Sequence, residues 1–335
     1  MMDAFADVRP GETCFYEQLI KGFIPERVFD CHAHLYRQDL LGGGGLALAG
    51  GIVSGPKVAD RAAYDNAMTA MMPGREPEGG LFFGYPSETI DMQASNDFIA
   101  SEVAVHGGSR GLMMLHPNDN PADVEALVLR YRFSGFKVYY IYSGLADAFG
   151  SVPASFIPEW AWEIAQRYRL VIMLHLVMPR ALAEIDNQKY IVSHCVRFPD
   201  AQLVLAHAAR GFCGRHTIDS VHVLADLPNV WFDTSAICEP EPFIAILRTF
   251  GASRLLFGSD YPISSFRARP VSVGDGFWWV DESDIPEAWK LGTPILCGLQ
   301  SLLAIKQACN NMALEKADVE TLFWGNSVLL LRNHV

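Results

Sequence analysis

The chain has 335 residues, of which 50% are hydrophobic, 11% aromatic and 19% charged, a composition of a soluble globular protein with one large domain or two smaller ones. Its 26 basic residues stand against 38 acidic ones for a net charge of −12, and with no basic stripe neither nucleic acid nor an anionic membrane surface is expected as a partner. The seven cysteines contain no Cys-x-x-Cys; their odd number and the opening "MMDAFADVRPGETCFYEQL", which lacks a basic region followed by an apolar core, argue for reduced thiols and a cytoplasmic location.

The first predicted element is a short buried strand in "VFDCHAHLY", residues 28 to 36. A strand points alternate side chains to one face, so His32 and His34 should aim in one direction, with Asp30 beside them and Cys31 and Ala33 facing away. A lone His-x-His has a competing reading as two satisfied polar residues at a strand end. The glycine-rich "LLGGGGLALAGGIVSGP" that follows is too weakly patterned for an element and reads as a mobile loop or lid. No Gly-Lys-Ser/Thr follows its "GGGG", which favours the loop or lid over a phosphate cradle.

From "KVADRAAYDNAMTAMM" onward helical and apolar segments alternate. Further strands are predicted at 80 to 85, 110 to 116, 135 to 141, 169 to 176, 201 to 207, 229 to 235 and 254 to 260, with helices between them. Eight nearly continuous apolar strands alternating with helices predict an α/β fold, a (β/α)8 barrel in one domain over 1 to 335 with its core at about 26 to 331. A doubly wound open sheet is the alternative. The alternation breaks between Phe266 and Thr293, where "DGFWWVDESDIPEAWKLGTP" predicts an insertion after the eighth strand, over the barrel mouth or at an interface. Trp278 and Trp279 would serve there as packing or contact residues.

Ligand-type residues collect at the predicted strand ends. His32 and His34 end the first strand, Lys137 sits in the fourth, His175 ends the fifth, His207 the sixth and Asp260 the eighth. In a parallel barrel these ends meet at one mouth, where such folds carry their sites. Each residue alone has a structural explanation: a hydrogen-bonded core histidine, a paired lysine, a helix-capping aspartate. Their convergence favours a site.

The set "DCHAH", "GFKVYY", "IMLHL", "LVLAHAARG", "VWFDTS", "LLFGSDYP" and "WGNSVLLL" resembles the amidohydrolase superfamily. Within it the chain is similar to the amidohydrolase-related branch that includes the aminocarboxymuconate-semialdehyde decarboxylase and γ-resorcylate decarboxylase families. The resemblance runs from Val28 to about Leu331. It implies that His32, His34, His175 and Asp260 hold one divalent metal, zinc first, with manganese or iron also fitting, and that His207 stands beside it. Asp30 would lie behind the ligands and orient His32 or its neighbours. Lys137 would contact substrate or, carboxylated, bridge a second metal together with His207; the single metal is the favoured reading.

The resemblance further implies an enzyme that turns a metal-activated water on a small, carboxylate-bearing C–N or C–O substrate. Asp260 would act as general base and then acid, and His207 would polarise the scissile carbonyl. A metal-dependent decarboxylase is the first alternative, and a non-catalytic ligand-binding barrel is an alternative of another class. Arg210, three residues past His207, is a candidate carboxylate clamp, with Tyr139 and His116 as further substrate contacts. Arg180 and Tyr142 are weaker candidates. The expected partner is a small-molecule substrate, and a homodimer is plausible from the exposed tryptophans.

Overall fold

The computed structural model describes residues 7–42, 46–48, 51–53, 55–285 and 294–332. Eight parallel strands form the barrel: β1 Phe29–His34, β2 Gly79–Phe83, β3 in two short pieces at Arg110–Gly111 and Met113–Met114, β4 Gly135–Val138, β5 Val171–Leu174, β6 Gln202–Leu205, β7 Val230–Asp233 and β8 Leu255–Leu256. Regular ladders give one arc of β1, β2 and the first piece of β3, and a second arc running from the other piece of β3 to β8. The arcs meet inside β3, where the Leu112 N–H donates to Phe82 O at 2.8 Å and the Ser134 N–H to Gly111 O at 2.8 Å. They meet again at the seam between β1 and the segment after β8. There the Cys31 N–H donates to Phe257 O at 2.8 Å, the Asp260 N–H to His32 O at 2.7 Å and the His34 N–H to Tyr261 O at 2.7 Å. The sheet therefore closes, which removes every edge strand from the barrel.

Each strand leads to a helix: α1 Arg61–Met71, α2 Met92–Ala104, α3 Pro121–Tyr131, α4 Glu159–Tyr168, α5 Ile185–Arg197, α6 Gly214–Ile218, α7 Glu241–Phe250 and α8 Cys297–Asn311. The boundaries have local causes. Asp60, Asp91 and Asn120 each accept a backbone N–H of the first helical turn, and Arg132 and Arg169 end α3 and α4 in the left-handed region at φ 55° and 58°. Inside the barrel Phe29, Cys31, Leu81, Phe83, Leu112, Val171, Met173, Val204, Trp231 and Leu256 pack together, with Trp324 and Leu330 from the C-terminal segment against them. Each large apolar side chain so buried contributes about 1.5–3 kcal/mol. Trp324 lies edge-on to Phe29, the first residue of β1, at 6.2 Å, so the C-terminal segment covers the end of the barrel opposite the strand C-termini.

Two expectations are corrected here. Asp30 and His32 do not share a face, because the β1–β2 register shifts between Asp30 and Ala33. That bulge breaks the period of two, sends the Asp30 carboxylate to Tyr64 on α1 and still leaves His32 and His34 aimed at the mouth. The glycine-rich connection contains an element after all, since Leu46–Leu48 pairs antiparallel with Gly51–Val53. Two β-competent triplets among glycines are too short to register as a pattern. The remaining part of the expected lid, 43–45, 49–50 and 54, lies outside the described residues, as does 286–293 of the expected insertion. The described part of that insertion is a hairpin of Ala268–Val273 and Gly276–Asp281.

Candidate metal and substrate site

At the strand C-termini a cavity of about 320 Å³ is lined by His32, His34, Lys137, His175, His207 and Asp260 at its base and largely by aromatic side chains above. His32, His34 and Asp260 converge so that one donor atom of each lies within 4.8 Å of the others. His32 Nε2 and His34 Nε2 each stand 3.4 Å from Asp260 Oδ1, and His207 Nδ1 stands 3.7 Å from Asp260 Oδ2. His175 lines the same cavity with its ring 4.9 Å from that of His207, outside the three-residue cluster.

The other imidazole nitrogens fix what these rings can do. His32 Nδ1 lies 2.8 Å from Asp233 Oδ2 and His34 Nδ1 3.1 Å from Gly84 O, while His207 Nδ1, the same nitrogen that faces Asp260, lies 2.8 Å from the Ser235 hydroxyl and 3.1 Å from Ser235 O. Carboxylate and carbonyl oxygens only accept, so each Nδ1 carries the proton and each Nε2 has a bare lone pair. Burial also keeps His32 and His175 well below the usual histidine range and lowers His34. Neutral imidazoles with Nε2 lone pairs facing a carboxylate at 3.4 Å have no proton to share with it. The nitrogen and oxygen donors fit a divalent cation.

Asp233 is the residue that sequence reasoning missed. It is fully buried at the end of β7, meets His32 through Oδ2, and through Oδ1 accepts the His207 N–H at 2.8 Å and the Ser235 hydroxyl at 2.5 Å. Its signal was present in "VWFDTS": an aspartate at a strand C-terminus, like Asp260. Asp233 orients the His32 ring, while Asp30 lies behind the ligands on the backbone: its Oδ1 accepts the N–H groups of His32 and Ser259 at 3.0 and 2.9 Å, and its Oδ2 the Tyr64 hydroxyl at 2.9 Å. Burial raises its carboxyl to about 6.

The backbone at the site is strained. His207, Ala208, Ala209 and Arg210 follow one another at φ 56°, 51°, 61° and 57°, and Asp260 sits at φ 60°. A left-handed non-glycine residue costs roughly 1–2 kcal/mol. The turn is held by Asp233 on the His207 N–H and by the Thr217 hydroxyl on Ala208 O at 2.8 Å. Gly258, before Asp260, lets the chain pass under His32, because a Cβ there would come within 2.8 Å of the His32 Cβ.

Lys137 is buried with Nζ 3.5 Å from His32 Nε2, and burial depresses its amine to about 8. The Tyr139 hydroxyl donates to Gly84 O at 3.2 Å and faces the cavity. Arg210 is buried in the cavity wall. Its Nη2 donates to Met178 O and Pro179 O at 2.8 and 2.9 Å, while Nε and Nη1 have no partner among the described residues. His116 does not reach this cavity. It lines a separate depression with Tyr142, and its Nδ1 accepts the Asn118 N–H at 3.2 Å, because Pro117 opens a turn at once after the strand. Arg180 is exposed and pairs with Glu184 at 3.2 Å. In the hairpin Phe277 and Trp279 line the cavity and Trp278 points away, 62% exposed.

Comparisons with known proteins agree with this architecture. The L-fucono-1,5-lactonase of Burkholderia ambifaria is 25% identical over 209 residues, 58% of this chain and 66% of that protein, so the match falls just short of two thirds of the relative's length. An amidohydrolase from Burkholderia multivorans superposes over 91% of this chain and 99% of its own, with HEPES bound at TM-score 0.61 and 18% identity and with zinc bound at 0.56 and 16%. The 5-carboxyvanillate decarboxylase from Sphingomonas paucimobilis covers 92% of this chain and 100% of its own at TM-score 0.56 and 12% identity. At these identities the structural likeness speaks for the barrel. The sequence profile of the amidohydrolase family matches residues 29–332. With nearly the whole barrel inside that match, the chain belongs to the amidohydrolase family and is an enzyme.

Proposed function

We propose that the chain is a metal-dependent hydrolase of small, carboxylate-bearing lactones, esters or amides. The observation that carries this reading is the convergence of His32 Nε2 and His34 Nε2 on Asp260 at 3.4 Å, at the base of the cavity in the barrel mouth. These three residues would hold one divalent cation, zinc first, with His175 as a further ligand and His207 beside it. A bound divalent cation supplies Lewis acidity toward a carbonyl and acidifies water. Asp260 takes the proton from the attacking water at its carboxylate and returns it to the leaving oxygen or nitrogen. His207, with its proton on Nδ1, has no donor for an oxyanion in its neutral form. That task falls to Lys137, whose ammonium stands beside His32 Nε2.

The walls speak to the substrate. Tyr85, Tyr139, Tyr140, Phe212 and Trp279 give broad apolar faces, and Arg210 offers two unpaired donors behind Phe149 and Phe277. A flat, unsaturated acid fits this better than a polyhydroxylated sugar lactone, which would leave its hydroxyls unpaired. The same aromatic cavity favours a second reading, decarboxylation of an aromatic acid.

Elemental analysis of the native protein and of His34→Ala, His175→Ala and Lys137→Ala tests the site, with turnover screened on unsaturated lactones, esters, amides and aromatic acids. One equivalent of metal should be lost with either histidine and kept without Lys137, and product acid should appear without carbon dioxide. Carbon dioxide release would move the assignment to the decarboxylase, and unchanged metal content in both histidine variants would overturn it. Loss of a metal with Lys137→Ala would mean a carboxylated lysine bridging two metals.

A further inference from the structure

A second cluster of metal-capable side chains lies away from the barrel base. Cys213 Sγ, the His216 imidazole and the Asp275 carboxylate come within 4.8 Å of one another. Cys213 and His216 are 2% and 3% exposed, while the Asp275 side chain is 59% exposed and opens the group to solvent. The two buried members are three residues apart, and the His216 N–H donates to Cys213 O at 3.0 Å, so this turn presents both side chains on one face. Asp275 arrives from the hairpin tip. Val273 pairs with Gly276, leaving Gly274 and Asp275 as a two-residue turn, and Gly274 at φ 61° supplies the left-handed residue such a turn needs. His216 Nε2 meets Asp275 Oδ1 at 3.0 Å.

We propose that Cys213, His216 and Asp275 form a second, non-catalytic site for a borderline-soft divalent cation such as zinc. A thiolate, an imidazole and a carboxylate with one position open to water are a zinc donor set, and the Cys-x-x-His spacing is within the range of structural zinc ligands. The cation ties together two segments that both wall the cavity. The segment after β6 carries His207, Arg210 and Phe212, and the hairpin carries Phe277 and Trp279. Their other links are weak: the Ser272 hydroxyl on Phe212 O at 3.3 Å and ring contacts of Phe212 with Phe277 and Trp279 at 4.8 and 5.7 Å. The metal would fix the roof without touching the reacting atoms.

The test is cobalt substitution of the full chain, read by absorption. Thiolate ligation gives an intense near-ultraviolet charge-transfer band that nitrogen and oxygen ligands do not produce, and among the described residues Cys213 is the cysteine found within such a donor group. The band should appear in the native protein and in His34→Ala, vanish in Cys213→Ser, and need more than about tenfold higher cobalt in Asp275→Asn. Asp275 is an exposed turn residue, so its variant reports even where Cys213→Ser fails to fold. Zinc content should fall by one equivalent in Cys213→Ser and stay unchanged in the barrel-base count that His34 controls. A native protein with no thiolate band, or a band indifferent to Asp275→Asn, would overturn the proposal and leave a plain His216–Asp275 hydrogen bond. Neither result bears on the barrel-base metal.

Discussion

Asp233 Oδ2 meets His32 Nδ1 at 2.8 Å in a part of the barrel with no exposure on either side chain. The contact fixes the tautomer of His32 and leaves its Nε2 free, and the other oxygen of the same carboxylate pins His207 through its backbone. One buried carboxylate thus places two members of the site. Asp233→Asn should weaken metal binding about 10–100-fold, as loss of the group behind a metal ligand typically does. Chelator competition measures this. An affinity within twofold of native would show that Asp233 plays no part in holding the ligands.

Asp30 should separate from Asp233 in the same assays. Asp30→Ala strips the acceptor from the His32 and Ser259 N–H groups and from the Tyr64 hydroxyl, across the seam that closes the barrel. At roughly 1–3 kcal/mol per orphaned donor, partly offset by no longer burying a carboxyl, a loss of about 2–5 kcal/mol is expected in urea denaturation. Metal stoichiometry of the folded fraction should stay at the native value. Stability equal to native would refute this role.

The metal-free protein should lose stability on mild acidification. Burial holds His32 and His175 well below the ordinary histidine value and lowers His34. The unfolded chain then takes up protons below about pH 6.5 that the folded chain refuses, so stability present above that pH is lost as the pH falls. Asp30, raised to about 6 by burial, acts in the opposite direction between about 6 and 4, where the folded state keeps a proton the unfolded chain has released. Three histidines against one carboxyl leave a net loss of up to about 3 kcal/mol per pH unit. Denaturation of chelator-treated protein at a series of pH values checks it, and a flat profile between about pH 7 and 5 would contradict it.

Arg210 should govern affinity for carboxylates. In Arg210→Met the KM for an unsaturated acid lactone should rise about 10–100-fold, in line with the loss of a charge-assisted hydrogen bond of roughly 1.5–3 kcal/mol, while a neutral ester of the same ring changes little. Equal effects on the acid and its ester would mean that Arg210 acts only through Met178 O and Pro179 O, which its Nη2 already holds.

The hairpin offers a paired control. Trp278 and Trp279 are neighbours on one strand and face opposite ways. Trp279→Ala should raise KM several-fold by opening the cavity wall. Trp278→Ser should leave KM alone and change stability by no more than about 0.5 kcal/mol. Steady-state kinetics on both variants decides this, and a kinetic defect in Trp278→Ser would place that residue at an interface.

The sequence by itself determined the eight strands and the sites where ligand-type residues end them, because buried parallel strands leave long apolar runs and a polar residue closing such a run stands out. His32, His34, His175, His207 and Asp260 could be named in that way, with Lys137 inside the fourth run and Arg210 in the loop after the sixth, and all seven line one cavity. The tertiary structure decided what depends on contacts between distant segments. Asp233 holds the His32 ring while Asp30 holds only the His32 backbone N–H, because a bulge, invisible in the residue pattern, turned the other Asp30 oxygen toward α1. His116 left the cavity through a turn at Pro117, and Trp279 entered it while Trp278 did not, since the hairpin's register and not its composition sets which face meets the barrel. Cys213, His216 and Asp275 share a corner only because a hairpin beginning some fifty residues later folds back over β6. Local chemistry is written along the chain, while the meeting of remote side chains is set by strand register and barrel closure, which no short window of sequence contains.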